Sequence, residues 1–168
     1  MEARRASPQS SYPFQLSLRI RHPSIDPEQV SQQLGIDADH SFRAGEPRES
    51  GRSSVAPVHA ESYWLATLDP ATLLLGTALD PNNMSHPHVS PHAHLMAFGV
   101  LDSVLVVLTS SLLRRHAEFF RQLQEEGGEV RLIVALSARK ARGFTLTPHL
   151  GKALSDLRIP VDIELTQR

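Results

Sequence analysis

Cysteine is absent from all 168 residues. That single absence excludes a disulfide scaffold, a thiolate metal site, a cysteine nucleophile and a thiol redox sensor, and nothing in the chain demands an oxidising compartment. Charge of one sign is lacking too. Seventeen Lys and Arg against eighteen Asp and Glu leave a formal charge of −1, so no whole-molecule field draws in nucleic acid or an anionic membrane, and neither is expected as a partner. No apolar run approaches the roughly 20 residues that cross a bilayer. The stretch Leu101–Leu113 is rich in Leu and Val, but Asp102, Ser103, Thr109, Ser110 and Ser111 interrupt it and Arg114-Arg115 follow; it reads as a buried helix. The first residues carry Arg4 and Arg5 without an apolar segment, so no secretory signal is read and the cytoplasm is the expected location. Familiar catalytic signatures are missing as well: there is no Gly-x-Ser-x-Gly elbow, no Walker loop, no Gly-x-Gly-x-x-Gly and no His-Glu-x-x-His, which favours a non-enzymatic role and gives no reason to expect a cofactor.

The residues present describe one domain, 14–168, behind a flexible leader at 1–13. Phe14 to Arg21 alternates apolar and polar residues strictly, the period of a strand with one buried face, so Phe14, Leu16, Leu18 and Ile20 should point inward. Asp26-Pro27-Glu28 supplies an N-cap, a proline at the first helical position and an acidic first turn. The helix it starts should bury Val30 and Leu34 and stop at Gly35. Residues 37–61 read as loop, and Tyr63 to Leu68 as a strand on which Trp64 packs into the core while Tyr63 faces out. A helical region from about Val100 to Glu126 should turn Leu101, Leu105, Leu108, Leu112, Phe119 and Leu123 to one side, with a break near Thr109-Ser110-Ser111, and end at Gly127-Gly128. A strand over Val130–Ser137, a helix capped by Thr147 and Pro148, and a final strand over Pro160–Thr166 complete the chain.

The two ends mirror each other. Each reads strand, Pro-started helix, strand, over Phe14–Leu68 and Val130–Thr166, which predicts an α+β fold of duplicated ferredoxin-like βαβ halves. The expectation is a four-stranded, mainly antiparallel sheet with helices on one face and an inserted helical region. The wording along the chain is similar to a known family: Leu16-Ser-Leu-Arg-Ile, Ile25-Asp-Pro-Glu-Gln-Val, Gln33-Leu-Gly-Ile, Arg43-Ala-Gly-Glu-Pro-Arg48, Tyr63-Trp64, then Leu146-Thr-Pro-His-Leu and Ile159-Pro-Val-Asp-Ile, in that order, resemble the bacterial domain of unknown function DUF4279. The resemblance implies a small bacterial α+β domain and carries no activity with it.

Two sets of residues stand out for chemistry. His86, His88, His92 and His94 put four imidazoles in nine residues as two His-x-His pairs, ligands suited to Zn²⁺, Ni²⁺ or Cu²⁺. Pro87 and Pro91 break the segment, and no acid lies nearer than Asp80 or Asp102, so a polar loop that picks up metal adventitiously is the plainer reading. Arg43, Arg48 and Arg52 share a loop with Gly45, and Arg19 and Arg21 lie on the outward side of the first strand, a combination that grips phosphate or carboxylate. Glu46 and Glu49 interleave with these arginines, and Gly45 with Pro47 is also ordinary turn chemistry. These residues together favour a non-enzymatic binding or protein-interaction module for a protein partner or a small anionic ligand. The alternative is a metal-binding protein or metal-dependent enzyme built on the histidine segment. A homodimer is expected to cover the helical region, because Leu101, Val104, Leu105, Val106, Val107 and Leu108 nearly encircle the helix axis.

Overall fold

The computed structural model describes residues 14–48, 57–70, 100–137 and 146–166. In chain order the elements are β1 (Phe14–His22), α1 (Pro27–Leu34), β2 (His40–Phe42), β3 (Ser62–Leu68), α2 (Val100–Ser110), α3 (Leu112–Arg115), α4 (Ala117–Glu125), β4 (Glu129–Ser137), α5 (Pro148–Leu157) and β5 (Val161–Thr166). The five strands form one mixed sheet in the order β2-β3-β1-β4-β5. Every pairing is antiparallel except that of β4 with β5. The strands at Phe14 and Val130 therefore lie side by side in one sheet. The return strands differ, however: β3 runs antiparallel to β1, whereas β5 runs parallel to β4. Four strands were expected, and the fifth is β2, which forms inside the stretch 37–61 read as loop. Three residues of His-x-Phe alternation are too few to announce a strand unaided; pairing with β3 makes it one.

Alternation does what the pattern requires. Phe14, Leu16, Leu18 and Ile20 of β1, Trp64, Ala66 and Leu68 of β3, and Val130, Leu132, Val134 and Leu136 of β4 are buried, in one cluster with Val30 and Leu34 of α1 and Leu150 and Leu154 of α5. Trp64 is wholly buried, and its indole N–H donates to Ser31 Oγ on α1 at 2.9 Å, which satisfies the one polar atom a buried tryptophan brings. Asp26 caps α1 by accepting from the Glu28 N–H at 3.0 Å, and Gly35 ends the helix at φ 68°. Thr147 accepts from the Leu150 N–H to cap α5.

The helical region breaks where three hydroxyls occur in a row. Thr109, Ser110 and Ser111 each donate back to carbonyls of Leu105, Val106 or Val107, a bond that competes with the helical ladder and bends it. Ser111 leaves helical geometry at φ −111°, ψ −87°. The break re-phases α3 and α4, and the expected buried face is corrected accordingly: Leu113 and Phe120 are fully buried, while Leu112 and Phe119 only pack against the edge of the core. Most of α2 is covered within the chain, since Leu101, Val104, Leu105 and Leu108 are buried and Val107 packs on the core; Val106 stays half-exposed. No helix among the described residues is long and apolar enough to cross a membrane.

At the opposite end of the sheet from the chain's first strand residues, β1 closes on His22, a buried imidazole whose Nδ1 accepts from the backbone N–H groups of Ser24 at 3.1 Å and Ile25 at 2.9 Å. Its Nε2 lies 3.4 Å from Glu126 Oε2. The ring ties the entry of α1 to the turn between α4 and β4.

Candidate functional site

Of the loop arginines singled out in the sequence, Arg43 is the one whose side-chain partners are placed among the described residues. Arg43 follows β2 and turns to the start of α1, where its guanidinium meets Asp26 Oδ1 at 2.8 Å, Glu28 Oε1 at 3.4 Å and Glu46 Oε1 at 3.9 Å. The hydrogen bond to Asp26 is the largest reason the Arg43 pKa rises above its ordinary value. The Asp26 carboxyl is held below the usual range first by the Glu28 N–H and then by Arg43. The backbone donors of the loop are also committed. The Arg43 N–H donates to Glu46 Oε2, Ala44 to Ser62 Oγ, Gly45 to the His59 carbonyl, Glu46 to the Arg43 carbonyl and Arg48 to the Pro57 carbonyl. Gly45 sits at φ 83°, a turn conformation that suits glycine. Arg52 and the four histidines at 86, 88, 92 and 94 lie outside the described residues. Among the described residues no three His, Asp or Glu side chains gather where a metal ion could be held.

Arg19 and Arg21, by contrast, do lie on the outward face of the sheet, and the register shows what joins them. Phe42 pairs with Tyr63 and His40 with Leu65 across β2 and β3, Tyr63 pairs with Arg21 and Leu65 with Arg19 across β3 and β1, and Arg19 pairs with Arg131 across β1 and β4. Residues directly opposite share a face, so these side chains make one continuous strip on the side away from the core.

At the β2 end the strip is aromatic. Phe42 stacks on His59 with ring centroids 3.6 Å apart and planes 20° apart, and on Tyr63 at 5.1 Å and 11°. His40 meets Tyr63 and Phe42 edge-on at 5.7 and 5.8 Å. The backbone that folds back beside β2 brings His59 there, through the bridge of Pro47 with Val58 and the His59 N–H bond to the Glu46 carbonyl. Phe42, His59 and Tyr63 are half-buried and His40 is exposed.

Toward β5 the strip is ionic. Asp162 accepts from Arg19 at 3.1 Å and from Arg131 at 3.0 Å, Arg131 also reaches Glu129 at 2.5 Å, and Arg21 pairs with Glu61. Glu129 first and Asp162 second raise the Arg131 pKa. Two arginines directly opposite each other are unfavourable unless a carboxylate lies between them, and Asp162 provides it. The Nε atoms of Arg19 and Arg131 are buried without a hydrogen-bond partner. With Glu61, Glu129, Asp162 and Glu164 on the strip beside three arginines, the face carries one more acid than base among the described residues and gives a polyanion no row of unpaired cations there.

Sequence reasoning missed Arg131, Asp162 and the ring cluster. The alternation His40-x-Phe42 and Tyr63-x-Leu65 was the available signal for the rings. For Arg131 and Asp162 there was none, because the partners of Asp162 stand 143 and 31 residues away. No protein-family model matches the chain, and neither a curated protein nor a solved structure does.

Proposed function

We propose that this chain is a non-catalytic binding module of the DUF4279 kind, which engages a protein partner through the outward face of its sheet. The observation that carries the reading is the ring cluster His40, Phe42, His59 and Tyr63. Four rings are held together on the side away from the core, outside the buried cluster formed by the described residues. Partly exposed aromatics beside arginines that are already oriented by carboxylates are the composition of a protein contact surface. The small-ligand version of the reading has less behind it, since Arg43 is engaged by carboxylates and the N–H groups of its turn are bonded internally.

A ferredoxin-like architecture is part of the proposal, with the halves divided differently from the mirrored ends. The order β2-β3-β1-β4 and its antiparallel pairings support a reading in which β1-α1-β2 is one split βαβ unit and β3, the helices α2 to α4, and β4 are the other. In that plan α5 and β5 are an addition at the edge, and the helices cover the inward face, leaving the outward one, among the described residues, for a partner.

The test starts from peptides selected for binding to the folded chain from a random display library. Each selected peptide is measured against Phe42→Ala and Tyr63→Ala. Losses of about tenfold or more, the size of a contact worth about 1.4 kcal/mol, are expected in variants whose circular dichroism is unchanged. Selected peptides indifferent to both substitutions would remove the ring cluster from the function.

A further inference from the structure

We propose that β5 is a second docking edge, one that accepts an extended segment in which apolar and basic residues alternate. β5 ends the sheet among the described residues, so one row of its backbone N–H and C=O groups faces away from β4. Pro160 precedes the strand instead of interrupting it, and every residue of Val161–Thr166 keeps its N–H. The two sides of this edge differ in chemistry. On the core side, Ile163 and Leu165 are 52% and 73% exposed, although their cross-strand neighbours Val134 and Leu136 are buried; the apolar layer runs past the last strand without being covered. On the outward side stand Asp162, engaged by Arg19 and Arg131, and Glu164, which is exposed and has no ion pair among the described residues.

A strand added here places alternate residues on opposite sides. Those beside Ile163 and Leu165 gain by being apolar, and the one beside Glu164 gains by being basic. Another copy of β5 does not suit, since it would set Asp162 and Glu164 against the same acidic pair, and like charges across strands repel. The occupant is therefore a basic, amphipathic strand of a different protein. This site is separate from the ring cluster on β2 and β3, at the other edge of the sheet.

The probe is a synthetic peptide of alternating lysine and valine, titrated into the isotopically labelled chain beside two controls. One control has the same composition with the lysines and valines segregated; the other alternates glutamate with valine. The expected result is that only the lysine–valine alternation binds, with amide shifts concentrated in Val161–Thr166. Leu165→Lys weakens it, and Glu164→Lys weakens it about tenfold and turns the preference to the glutamate peptide. Equal binding of the segregated peptide would reduce the effect to unspecific charge attraction and overturn the proposal. So would shifts that fall away from β5, or a Glu164→Lys chain that keeps the wild-type preference. Both substitutions are at exposed positions, and the wild-type comparison of the three peptides decides the matter without them.

Discussion

Single residues do much of the local specification, and Asp26 is the clearest instance. Its carboxylate caps α1 through the Glu28 N–H and also receives Arg43, and both partners hold its pKa below the ordinary carboxylate value. A group with a depressed folded-state pKa contributes stability in full above its unfolded value, near 3.8, and loses that contribution as the pH falls through the folded one. Asp26→Asn keeps a capping oxygen but loses the charge. The variant should therefore be the less stable chain at neutral pH, and the gap between the two urea midpoints should close as the pH drops below about 4. A gap that stays constant down to acid would mean the carboxylate charge does nothing. Roles of this kind were readable in advance because they are local: Asp26 before Pro27, Thr147 before Pro148, and Trp64 in alternation with Ala66 each declare themselves within a few residues. The Arg19–Asp162–Arg131 bridge did not, because it exists only once β1, β4 and β5 are in register.

At the scale of elements, two glycines with opposite roles separate packing from propensity. Gly128 joins α4 to β4 against the buried ring of His22. A Cβ there would stand 2.6 Å from His22 Cδ2, 2.7 Å from the Leu123 carbonyl oxygen and 3.1 Å from that of Arg21. Since two of these neighbours are backbone, Gly128→Ala should cost about 1–3 kcal/mol in denaturant unfolding. Gly151 lies inside α5 with open space where its Cβ would be, and Gly151→Ala should stabilise by about 0.5–1 kcal/mol. Equal effects at the two sites would contradict the tight contact at His22. Strand β1 was legible because a period of two persists through it, and β3 and β4 because short runs rich in β-branched, aromatic and aliphatic residues lie between turn signals. The face of α3 and α4 was not, because the rotation introduced at Ser111 depends on where three hydroxyls bond, and no periodicity carries through it. The end of α5 shows a similar local device: Arg158 takes a left-handed conformation at φ 53°, held by Gln124 Nε2 donating to its carbonyl at 2.9 Å.

For the whole molecule, the sheet has two faces of different character. The inward side is mainly aliphatic, with Trp64, and its residues form one buried cluster with residues of α1 to α5, while the outward side passes from stacked rings on β2 and β3 to ion pairs on β1, β4 and β5. The mirrored ends of the sequence announced both strands but neither their adjacency nor their direction, because the same strand–helix–strand wording suits an antiparallel return at β3 and a parallel one at β5. The central claim is that the outward strip is where a partner binds, and the most direct measurement is an amide chemical-shift map of the labelled chain saturated with a peptide selected against it. A partner seated on the strip should gather the shifts at residues 40–42, 59–65 and 19–21, fading across β4. Shifts gathered instead on α2 to α5, with the ring cluster silent, would contradict it.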